Sequence, residues 1–581
     1  MPQGWTQSPG SDDLLYSDTS GNGMLQRGPT GSAVYWRTRP DGTYVSAAGS
    51  GADLTQNPDF SSTFTDRVSG TRRTHQPEGM VSSAVDRNGN ATRYEYNVSQ
   101  WLTKVTDPAG RVTTVGYGCK LSSMNDQAGR AWAYGYDSSC TYLTSYTDPA
   151  GKITTYGYDS AGLLAQVVTP AGRKTLLTYD GAGRALSVTR VTNITSNTGP
   201  ATRYAYSATG GGNGKTLVTD PNGKITTYAY DATSRVTKVT DALGRNRSVT
   251  FNADNSVTSA VDAMSTPGVT SSAFDADFRA TGSTSPTGSV DSRSYTEPAG
   301  PVTNRVAHWQ PASTTRSDGN NTTFSYDGPG NVSKTQDSTG GPTGGVATSF
   351  TYNPPAPTAA ICGGLAGQVC TATDGRGKIT RFSYEIDGDL SRVDNPAPLG
   401  DPSYTYYSVG RQVSSTDGKG QVTAVSYDPL DRVVQTRYAG TTTCTTTEIA
   451  AGSCITRGYD ADGNLTASAD QTGTTSYVYD LLGRETSRGL PSTGTTSLGY
   501  DGAGNVLTAT DTGGTVSYTY DAANQLVSLI EPGGSCTATP KDRCTTFGYN
   551  NNGVRTSTTY PTGTTGTVMS VQRPGSAAVF M

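Results

Sequence analysis

The 581-residue sequence is poor in the side chains that most enzymes and membrane proteins depend on. It has two histidines, 16% charged residues and 33% hydrophobic residues. His75 and His308 lie near no nucleophile motif, so no catalytic pair is evident. No apolar stretch reaches the roughly 18 residues that a membrane-spanning helix needs. The formal net charge of -4 includes no basic block, so nucleic-acid binding is not expected. We therefore expect no enzyme, no cofactor, no nucleic-acid partner and no membrane span.

Glycine and tyrosine are abundant, with 71 and 34 copies, whereas phenylalanine has only 10. Tyrosine in place of phenylalanine indicates rings that lie against the backbone while the hydroxyl end faces water. Frequent Gly, Thr, Ser, Tyr and Val are typical of short strands joined by tight turns. No capped run with helical periodicity occurs, so helix should be minor. The composition predicts an all-β fold.

Tyr-Asp dipeptides recur along the chain, and consecutive copies are 20 to 22 residues apart where the spacing is regular. They include Tyr136-Asp137, Tyr158-Asp159, Tyr179-Asp180, Tyr230-Asp231, Tyr326-Asp327, Tyr427-Asp428, Tyr459-Asp460, Tyr479-Asp480, Tyr500-Asp501 and Tyr520-Asp521. The turn from Asp159 to Gly162 alternates with a second turn type, Asp148-Pro-Ala-Gly151. Runs of about seven residues, a normal strand length, separate the turns. Each unit is therefore predicted to be one β-hairpin of a continuous antiparallel meander.

Side chains alternate between the two faces of each predicted strand, so Thr154, Tyr156 and Tyr158 share one face. A fixed register should stack the aromatic rings of neighbouring hairpins. The residues that define the repeat are Tyr158, Asp159, Gly162, Tyr230, Asp231, Tyr479, Asp480, Gly483, Tyr500, Asp501, Gly504, Tyr520 and Asp521. About 40 strands, wound into one ring, would be about 60 Å across, far wider than side chains can fill. The sheet should therefore be hollow or fold on itself.

The run from Gly473 to Asp511 and the run from Gly223 to Asp241 follow the pattern GxxxxYxYDxxGRLxxxxD. The pattern recurs, with varying completeness, over most of residues 81–567. It resembles the YD repeats of the rearrangement-hotspot (RHS) superfamily, which includes bacterial toxin carriers, wall-associated proteins and animal teneurins. The resemblance implies a β-strip coiled into a hollow shell. In bacteria such a shell encloses a C-terminal toxin, and in teneurins it mediates adhesion.

Members that carry toxins end their repeats with a self-cleaving core and a variable toxin, but here the repeats stop near Gly563. We therefore expect a partial shell without core and toxin. The expected division is a flexible segment (1–30), lead-in strands (31–80), a first repeat block (81–263), degenerate repeats or an insert (264–318), a second repeat block with disulfide-clipped loops (319–567) and a frayed tail (568–581).

The eight cysteines fall into pairs that are close in sequence: Cys119 with Cys140, Cys362 with Cys370, Cys444 with Cys454, and Cys536 with Cys544. No CxxC spacing and no neighbouring histidine indicates a zinc site. The pairs favour disulfides that clip loops in an oxidising compartment. The alternative is free thiols in a cytosolic protein. No signal peptide is visible, and we expect a secreted, cell-surface or cell-wall-associated location.

Two further features of the sequence are candidates for binding sites. Asp460-Ala-Asp-Gly-Asn464 begins like a calcium loop, but its twelfth position is Gln471, which has no carboxylate, so we interpret it as a turn. Five tryptophans lie off the aromatic register and are the carbohydrate-binding candidates: Trp5, Trp36, Trp101, Trp132 and Trp309.

These observations predict a structural shell that encloses or displays a polypeptide cargo, for toxin delivery in interbacterial competition, without catalytic turnover. Its expected partners are that cargo or a remaining shell segment, and wall carbohydrate in a second hypothesis. In that hypothesis the chain is a surface adhesion or carbohydrate-binding scaffold. A wall-glycan hydrolase is disfavoured because the aspartates are repeated turn residues, and no carboxylate pair is singled out.

Overall fold

The computed structural model describes residues 52–207, 213–253, 255–296, 308–338, 345–356, 358–538 and 541–567, together with four N-terminal strands. The expected frayed tail (568–581) and most of the expected flexible segment (1–30) lie outside the described residues. The N-terminal strands form a small antiparallel sheet in chain order: β1 (Leu14–Ser17), β2 (Gly23–Arg27), β3 (Ala33–Thr38) and β4 (Tyr44–Val45).

The next 45 strands form one antiparallel sheet. In chain order they are β5 (Ala52–Gln56), β6 (Ser62–Asp66), β7 (Arg72–His75), β8 (Val81–Val85), β9 (Ala91–Tyr96), β10 (Leu102–Thr106), β11 (Val112–Tyr117), β12 (Leu121–Asn125), β13 (Ala131–Tyr136), β14 (Leu143–Thr147), β15 (Ile153–Tyr158), β16 (Leu164–Val168), β17 (Lys174–Tyr179), β18 (Ala185–Arg190), β19 (Ala201–Tyr206), β20 (Gly214–Thr219), β21 (Ile225–Tyr230), β22 (Val236–Thr240), β23 (Asn246–Phe251), β24 (Val257–Val261), β25 (Val269–Phe274), β26 (Ala280–Thr284), β27 (Val290–Tyr295), β28 (Pro311–Thr315), β29 (Asn321–Tyr326), β30 (Val332–Asp337), β31 (Ala347–Tyr352), β32 (Val369–Thr373), β33 (Ile379–Tyr384), β34 (Leu390–Asp394), β35 (Ser403–Tyr406), β36 (Gln412–Thr416), β37 (Val422–Tyr427), β38 (Val433–Tyr438), β39 (Cys454–Tyr459), β40 (Leu465–Asp470), β41 (Gly473–Tyr479), β42 (Glu485–Leu490), β43 (Gly494–Tyr500), β44 (Val506–Asp511), β45 (Gly514–Tyr520), β46 (Leu526–Ser535), β47 (Asp542–Tyr549), β48 (Arg555–Thr559) and β49 (Thr565–Thr567).

The pairing confirms the predicted all-β meander, because each of these strands pairs antiparallel with its neighbours in sequence. Within the described residues no register joins β49 back to β5, so the sheet is an open strip. The antiparallel pairing also continues through β25 to β28, which lie in the expected region of degenerate repeats or an insert (264–318). The described helix is the five-residue α1 (Thr446–Ala450), and no described helix is long and apolar enough to cross a membrane.

A β-bulge recurs in almost every hairpin, directly before the aromatic residue of the YD turn. Between β15 and β16, Gly157 pairs with Gln166 while Tyr158 pairs with Leu164, so one extra residue lies on β16. The same shift occurs between β13 and β14 and between β43 and β44. Bulges bend a strand and increase its twist, and a bend repeated in each hairpin makes the strip coil.

The strip has two edges formed by turns. The YD turns, which follow odd-numbered strands, form what we call the YD edge. The turns that follow even-numbered strands form the proline edge, named after turns such as Asp148-Pro and Asp220-Pro. Hydrogen bonds connect turns of the proline edge in the segment from β8 to β25 with turns of the YD edge that lie 21 to 25 strands further along the chain. For example, Asn222 Nδ2 donates to Asp501 Oδ2 at 2.8 Å across 279 residues of sequence.

These bonds show that the strip is a spiral, with a first winding (β5 to β26) and a second winding (β27 to β49). The strip does not close as one ring of about 60 Å, because it returns to itself after about half its length. At about 4.8 Å per strand, about 23 strands give a circumference of about 110 Å, which for a circular winding corresponds to a width of about 35 Å. Because facing sheets fill only about 10 Å with side chains, a circular winding of that width would be open in the middle.

The buried core is thin, as the low apolar content indicates. One cluster consists of six buried residues on β8 to β12: Val81, Tyr94, Leu102, Val105, Val115 and Leu121. A smaller cluster joins Ala52, Leu54 and Phe64. Most other described strand residues are only half-buried. The wall is thus held by its hydrogen-bonded ladder and by polar contacts at its edges more than by a thick apolar interior.

Candidate functional site: the repeat contacts and the seam between windings

The aspartate of each YD turn organises that turn. Asp480 Oδ1 accepts the N–H groups of Leu482 at 2.8 Å and Arg484 at 2.9 Å, while Oδ2 accepts Arg484 Nε at 2.7 Å. Gly483 has φ of 76°, in the left-handed region that glycine adopts without strain. Asp159, Asp231, Asp501 and Asp521 accept backbone N–H bonds in the same way, and Gly162 and Gly504 also have positive φ.

The turn bonds favour the charged form of the Asp231 and Asp180 carboxyl groups. The pKa of Asp231 lies well below its ordinary value, chiefly because the Arg235 side chain donates to it. The pKa of Asp180 is lowered as well, with the backbone N–H of Arg184 as the largest cause and the Arg184 guanidinium as another. In turns such as those of Asp180 and Asp231, the carboxylate is therefore a fixed anion that the turn's own arginine neutralises.

The tyrosine of the YD pair ties many of the hairpins to the hairpin before them. The Tyr158 hydroxyl donates to the Leu143 carbonyl at 2.9 Å, and the Tyr500 hydroxyl donates to the Glu485 carbonyl at 2.6 Å. Tyr479 and Tyr520 make the equivalent bonds, at 2.8 and 3.0 Å. Tyr230 holds the same position opposite Val236. Burial raises the pKa of Tyr500, so the hydroxyl keeps its proton for donation.

In several YD turns an arginine connects the turn to the aromatic ring of the following repeat. The Arg484 guanidinium lies 4.6 Å from the centroid of the Tyr500 ring. Equivalent contacts are Arg184 over Tyr206 at 4.4 Å, Arg235 over Phe251 at 4.7 Å, Arg279 over Tyr295 at 4.7 Å and Arg432 over Tyr459 at 4.7 Å. Direct ring pairs also occur, such as Tyr142 with Tyr158 at 4.7 Å. The sequence pattern predicts ring-to-ring stacking, but it does not indicate this role of the arginine.

We call the line where the two windings touch the seam. At its centre, Arg173 from the proline edge donates to Asp460 Oδ2 at 2.9 Å and to Asp462 Oδ2. Asp462 also accepts the Thr169 hydroxyl at 2.6 Å and the Ala171 N–H at 2.9 Å. The Arg173 side chain is only 16% exposed, so this ion pair is well shielded from solvent. The calcium-like motif is thus a YD turn whose middle aspartate binds the other winding.

Other side chains continue the seam in both directions. Arg130 bonds to Asp431, and Arg190 bonds to the Leu482 carbonyl. Further along, Arg245 donates to Gln525 Oε1 at 2.8 Å, and Asn552 Nδ2 donates to Asp262 at 3.0 Å. Each of these bonds involves a side chain. Among the described residues no strand pairing crosses the seam, so the two windings are joined far more weakly than neighbouring strands.

The structure joins the eight cysteines into the four predicted disulfide pairs, with Cα–Cα distances from 5.1 to 6.2 Å. Three of them close a single loop, as expected. Cys119–Cys140 differs, because it connects two neighbouring turns of the YD edge. It therefore braces the edge of the first winding instead of clipping one hairpin.

The other sequence candidates do not come together. Trp5 lies outside the described residues, and the structure describes only the backbone of Trp36. Trp101 stacks on Tyr117 with centroids 4.8 Å apart and is 40% exposed. Trp132 and Trp309 lie under Arg130 and Arg67, at 5.6 and 5.5 Å.

The two histidines are also apart. His75 is buried in β7, and His308 contacts Asp277 at 3.0 Å. In the part of the chain that the structure describes, no three His, Cys, Asp or Glu side chains are arranged to hold a metal ion.

Comparison with known proteins supports the repeat. The family model described as RHS Repeat matches residues 77–117, 143–174, 158–191, 212–245, 406–443, 459–497 and 500–535. The crystal structure of TcdB2-TccC3 aligns with 95% of this chain at 12% identity and a TM-score of 0.59. A Photorhabdus luminescens Tc holotoxin pore structure aligns with 88% of it at 13% identity and a TM-score of 0.43. This chain spans 35% of the length of either matched chain. No curated protein matches.

Proposed function

Because this chain is an RHS/YD-repeat protein, we propose that it is a wall segment of a toxin-associated shell that encloses a polypeptide cargo without chemical turnover. The observation that carries this proposal is the seam, which joins two windings of one strip. A strip wound in this way, with a continuous ladder within each winding and bonds between the edges of the windings, forms a wall. The space that such a wall encloses is protected from the surroundings.

The dimensions suit a polypeptide. A width of about 35 Å between opposite backbones leaves about 25 Å after side chains are subtracted. An α-helix with its side chains is about 10 to 12 Å wide, so helices or an extended chain fit inside. The strand faces are rich in half-buried Ser and Thr, as in β28 and β36. Such faces favour holding a cargo by enclosure over binding it tightly.

Several finer points belong to the same proposal. The solved neighbours are a Tc holotoxin pore and TcdB2-TccC3, and what this chain shares with TcdB2-TccC3 is the fold. Toxin delivery in interbacterial competition is the role we infer for this chain. Four disulfides favour an exported, oxidising location. Further shell segments are the expected partners.

A surface-adhesion or carbohydrate-binding scaffold is the second candidate, and Trp101 is the observation that favours it. Its ring is 40% exposed and braced by Tyr117, an arrangement suited to stacking on a sugar. Under this alternative, purified chain binds wall polysaccharide and Trp101→Ala abolishes that binding. Trp132→Ala serves as the control, since Arg130 covers that ring.

The shell proposal is tested by co-expressing the full chain with the polypeptide encoded immediately downstream. We expect the two to co-purify, electron microscopy to show a low-density centre in the free chain, and the cargo to resist protease in the complex. Asp462→Lys should open the seam and expose the cargo, whereas Asp318→Lys, in a turn of the free proline edge, should not. A dense centre, or a cargo as sensitive as the free polypeptide, would overturn the proposal.

A further inference from the structure

One YD turn that lies on the seam is replaced by a long disulfide-closed loop. The loop occupies residues 353–368, between β31 and β32, where most hairpins have a turn of about four residues. Residue 357 lies outside its described part. Cys362 and Cys370 close the loop, with Cα atoms 5.5 Å apart. Cys370 is buried, whereas Cys362 is only half-buried, so the disulfide can be approached from the loop side.

The loop is folded around one buried amide. Asn353 is 2% exposed, and its Oδ1 accepts the N–H groups of Ile361 at 2.9 Å and Cys362 at 3.2 Å. Its Nδ2 donates to the carbonyls of Gly363 and Leu365. The disulfide holds Cys362 beside this amide. The loop is therefore a shaped knob whose form depends on the crosslink.

The far side of the knob contacts the first winding. Asn90 Nδ2 donates to the Ala366 carbonyl at 2.9 Å, across 276 residues of sequence. Gly367 lies so close to Asn88 that an added Cβ would stand 2.1 Å from its amide nitrogen. Asn331 Nδ2 donates to Asn88 Oδ1 at 2.7 Å from the neighbouring YD turn. The β8–β9 turn, residues 86–90, is thus held between the knob and that YD turn.

We propose that Cys362–Cys370 is a redox-sensitive latch on the seam. A dithiol reductant breaks the S–S bond, transferring two electrons and two protons to the cysteine sulfurs while the reductant becomes a disulfide. The knob then loses its crosslink, the Asn90 and Gly367 contacts loosen, and the seam opens at the β8–β9 turn. This inference rests on the seam and not on any cargo, so it stands or falls independently of the proposed function.

The other disulfides provide internal controls. Cys119–Cys140 connects YD turns of the first winding, and Cys444–Cys454 and Cys536–Cys544 close loops on the proline edge of the second winding. Both edges lie away from the seam. If Cys362–Cys370 is the latch, its loss alone among the four disulfides should change hydrogen exchange in residues 86–90.

Hydrogen exchange measured by mass spectrometry on the full oxidised chain tests this. Cys362→Ser with Cys370→Ser should speed exchange in residues 86–90 at least about tenfold, and Cys536→Ser with Cys544→Ser should leave it unchanged. Faster exchange confined to residues 353–370 would overturn the latch, as would equal acceleration by both double variants.

If the first double variant does not fold, wild-type chain is titrated with dithiothreitol instead. Exchange at residues 86–90 should then rise in proportion to the fraction of Cys362–Cys370 that is reduced. A rise that follows a different disulfide, or no rise after full reduction of this one, would equally overturn the latch.

Discussion

The guanidinium group of Arg484 lies over the ring of Tyr500, 4.6 Å from its centroid, and joins two consecutive repeats. The same arginine donates to Asp480 Oδ2 at 2.7 Å and to the Asp501 carbonyl at 2.8 Å. One side chain thus closes its own turn, reaches the next turn and covers the next aromatic ring. This accounts for the residue types of the YDxxGR motif at their spacing.

Replacing Arg484 by lysine should destabilise its repeat by about 1 to 2 kcal/mol. Lysine keeps the charge but loses the planar fork that bonds Asp480 and Asp501 while lying over Tyr500. The measurement is hydrogen exchange of β42 and β43. Arg376→Lys is the matched control, because Arg376 pairs with Asp374 in a similar turn but its side chain is 85% exposed. Its effect should be below about 0.5 kcal/mol, and equal effects would contradict the role given to Arg484.

Tyr500→Phe removes the hydroxyl that donates to the Glu485 carbonyl at 2.6 Å but keeps the ring. Because a net hydrogen bond contributes about 1 kcal/mol, amide exchange in this hairpin should rise about fivefold. Tyr560→Phe, at a ring that is 50% exposed, is the control and should change nothing measurable. An unchanged exchange rate in Tyr500→Phe would show that the hydroxyl bond does not hold the repeats together.

Asp462→Asn tests the seam separately from the repeat. The substitution keeps an acceptor for the Ala171 N–H but removes the charge that faces Arg173. We expect a loss of about 1.5 to 3 kcal/mol in the local stability of the seam. Amide exchange at Ala171 should accelerate while exchange within β39 and β40 stays near wild type. Asp318→Asn is the control, because among the described residues this carboxylate accepts within its own turn, from the Asn320 N–H at 2.9 Å. Acceleration spread evenly over the strip would argue against a separate seam.

Acid should weaken the turns before it weakens the strands. The pKa values of Asp180 and Asp231 are lowered from 3.8 in the folded chain, Asp180 chiefly by the Arg184 N–H and Asp231 chiefly by the Arg235 side chain. Their stabilising contribution is therefore complete above about pH 4 and is lost as the pH falls through the lower folded values. The thermal unfolding temperature should be flat near neutrality and fall below about pH 4. A decline that begins near pH 6 would implicate other groups.

Alkali should act through the tyrosines with the opposite sign. Burial raises the pKa of Tyr384 above 10.0, and also that of Tyr134. Above about pH 10 the unfolded chain ionises first, so stability falls as the pH rises through the folded values. Tyrosinate absorbance and thermal unfolding, followed together, should change over the same range. Ionisation of all tyrosines without loss of structure would contradict the buried hydroxyl bonds.

The sequence predicted the hairpin unit well because its signals are local. Asp159 and Gly162 specify a turn within four residues, and Tyr158 marks the same strand position in each repeat. The local cysteine pairs followed from spacing alone. The role of Arg484 was missed although the motif contains it, since stacking on the next repeat's ring is a contact that a consensus pattern does not show.

What the sequence determined by itself is a strip of antiparallel hairpins, since strand, turn and register each depend on residues within about 20 positions of one another. The winding of that strip is a property of the tertiary structure. Small bends at successive bulges add up until Arg173 meets Asp462, 289 residues later, and a slightly different bend would bring other side chains together. No local pattern encodes that sum. The strand count left open whether the sheet is hollow or folds on itself, and the tertiary structure decided for a two-winding spiral with a polar seam.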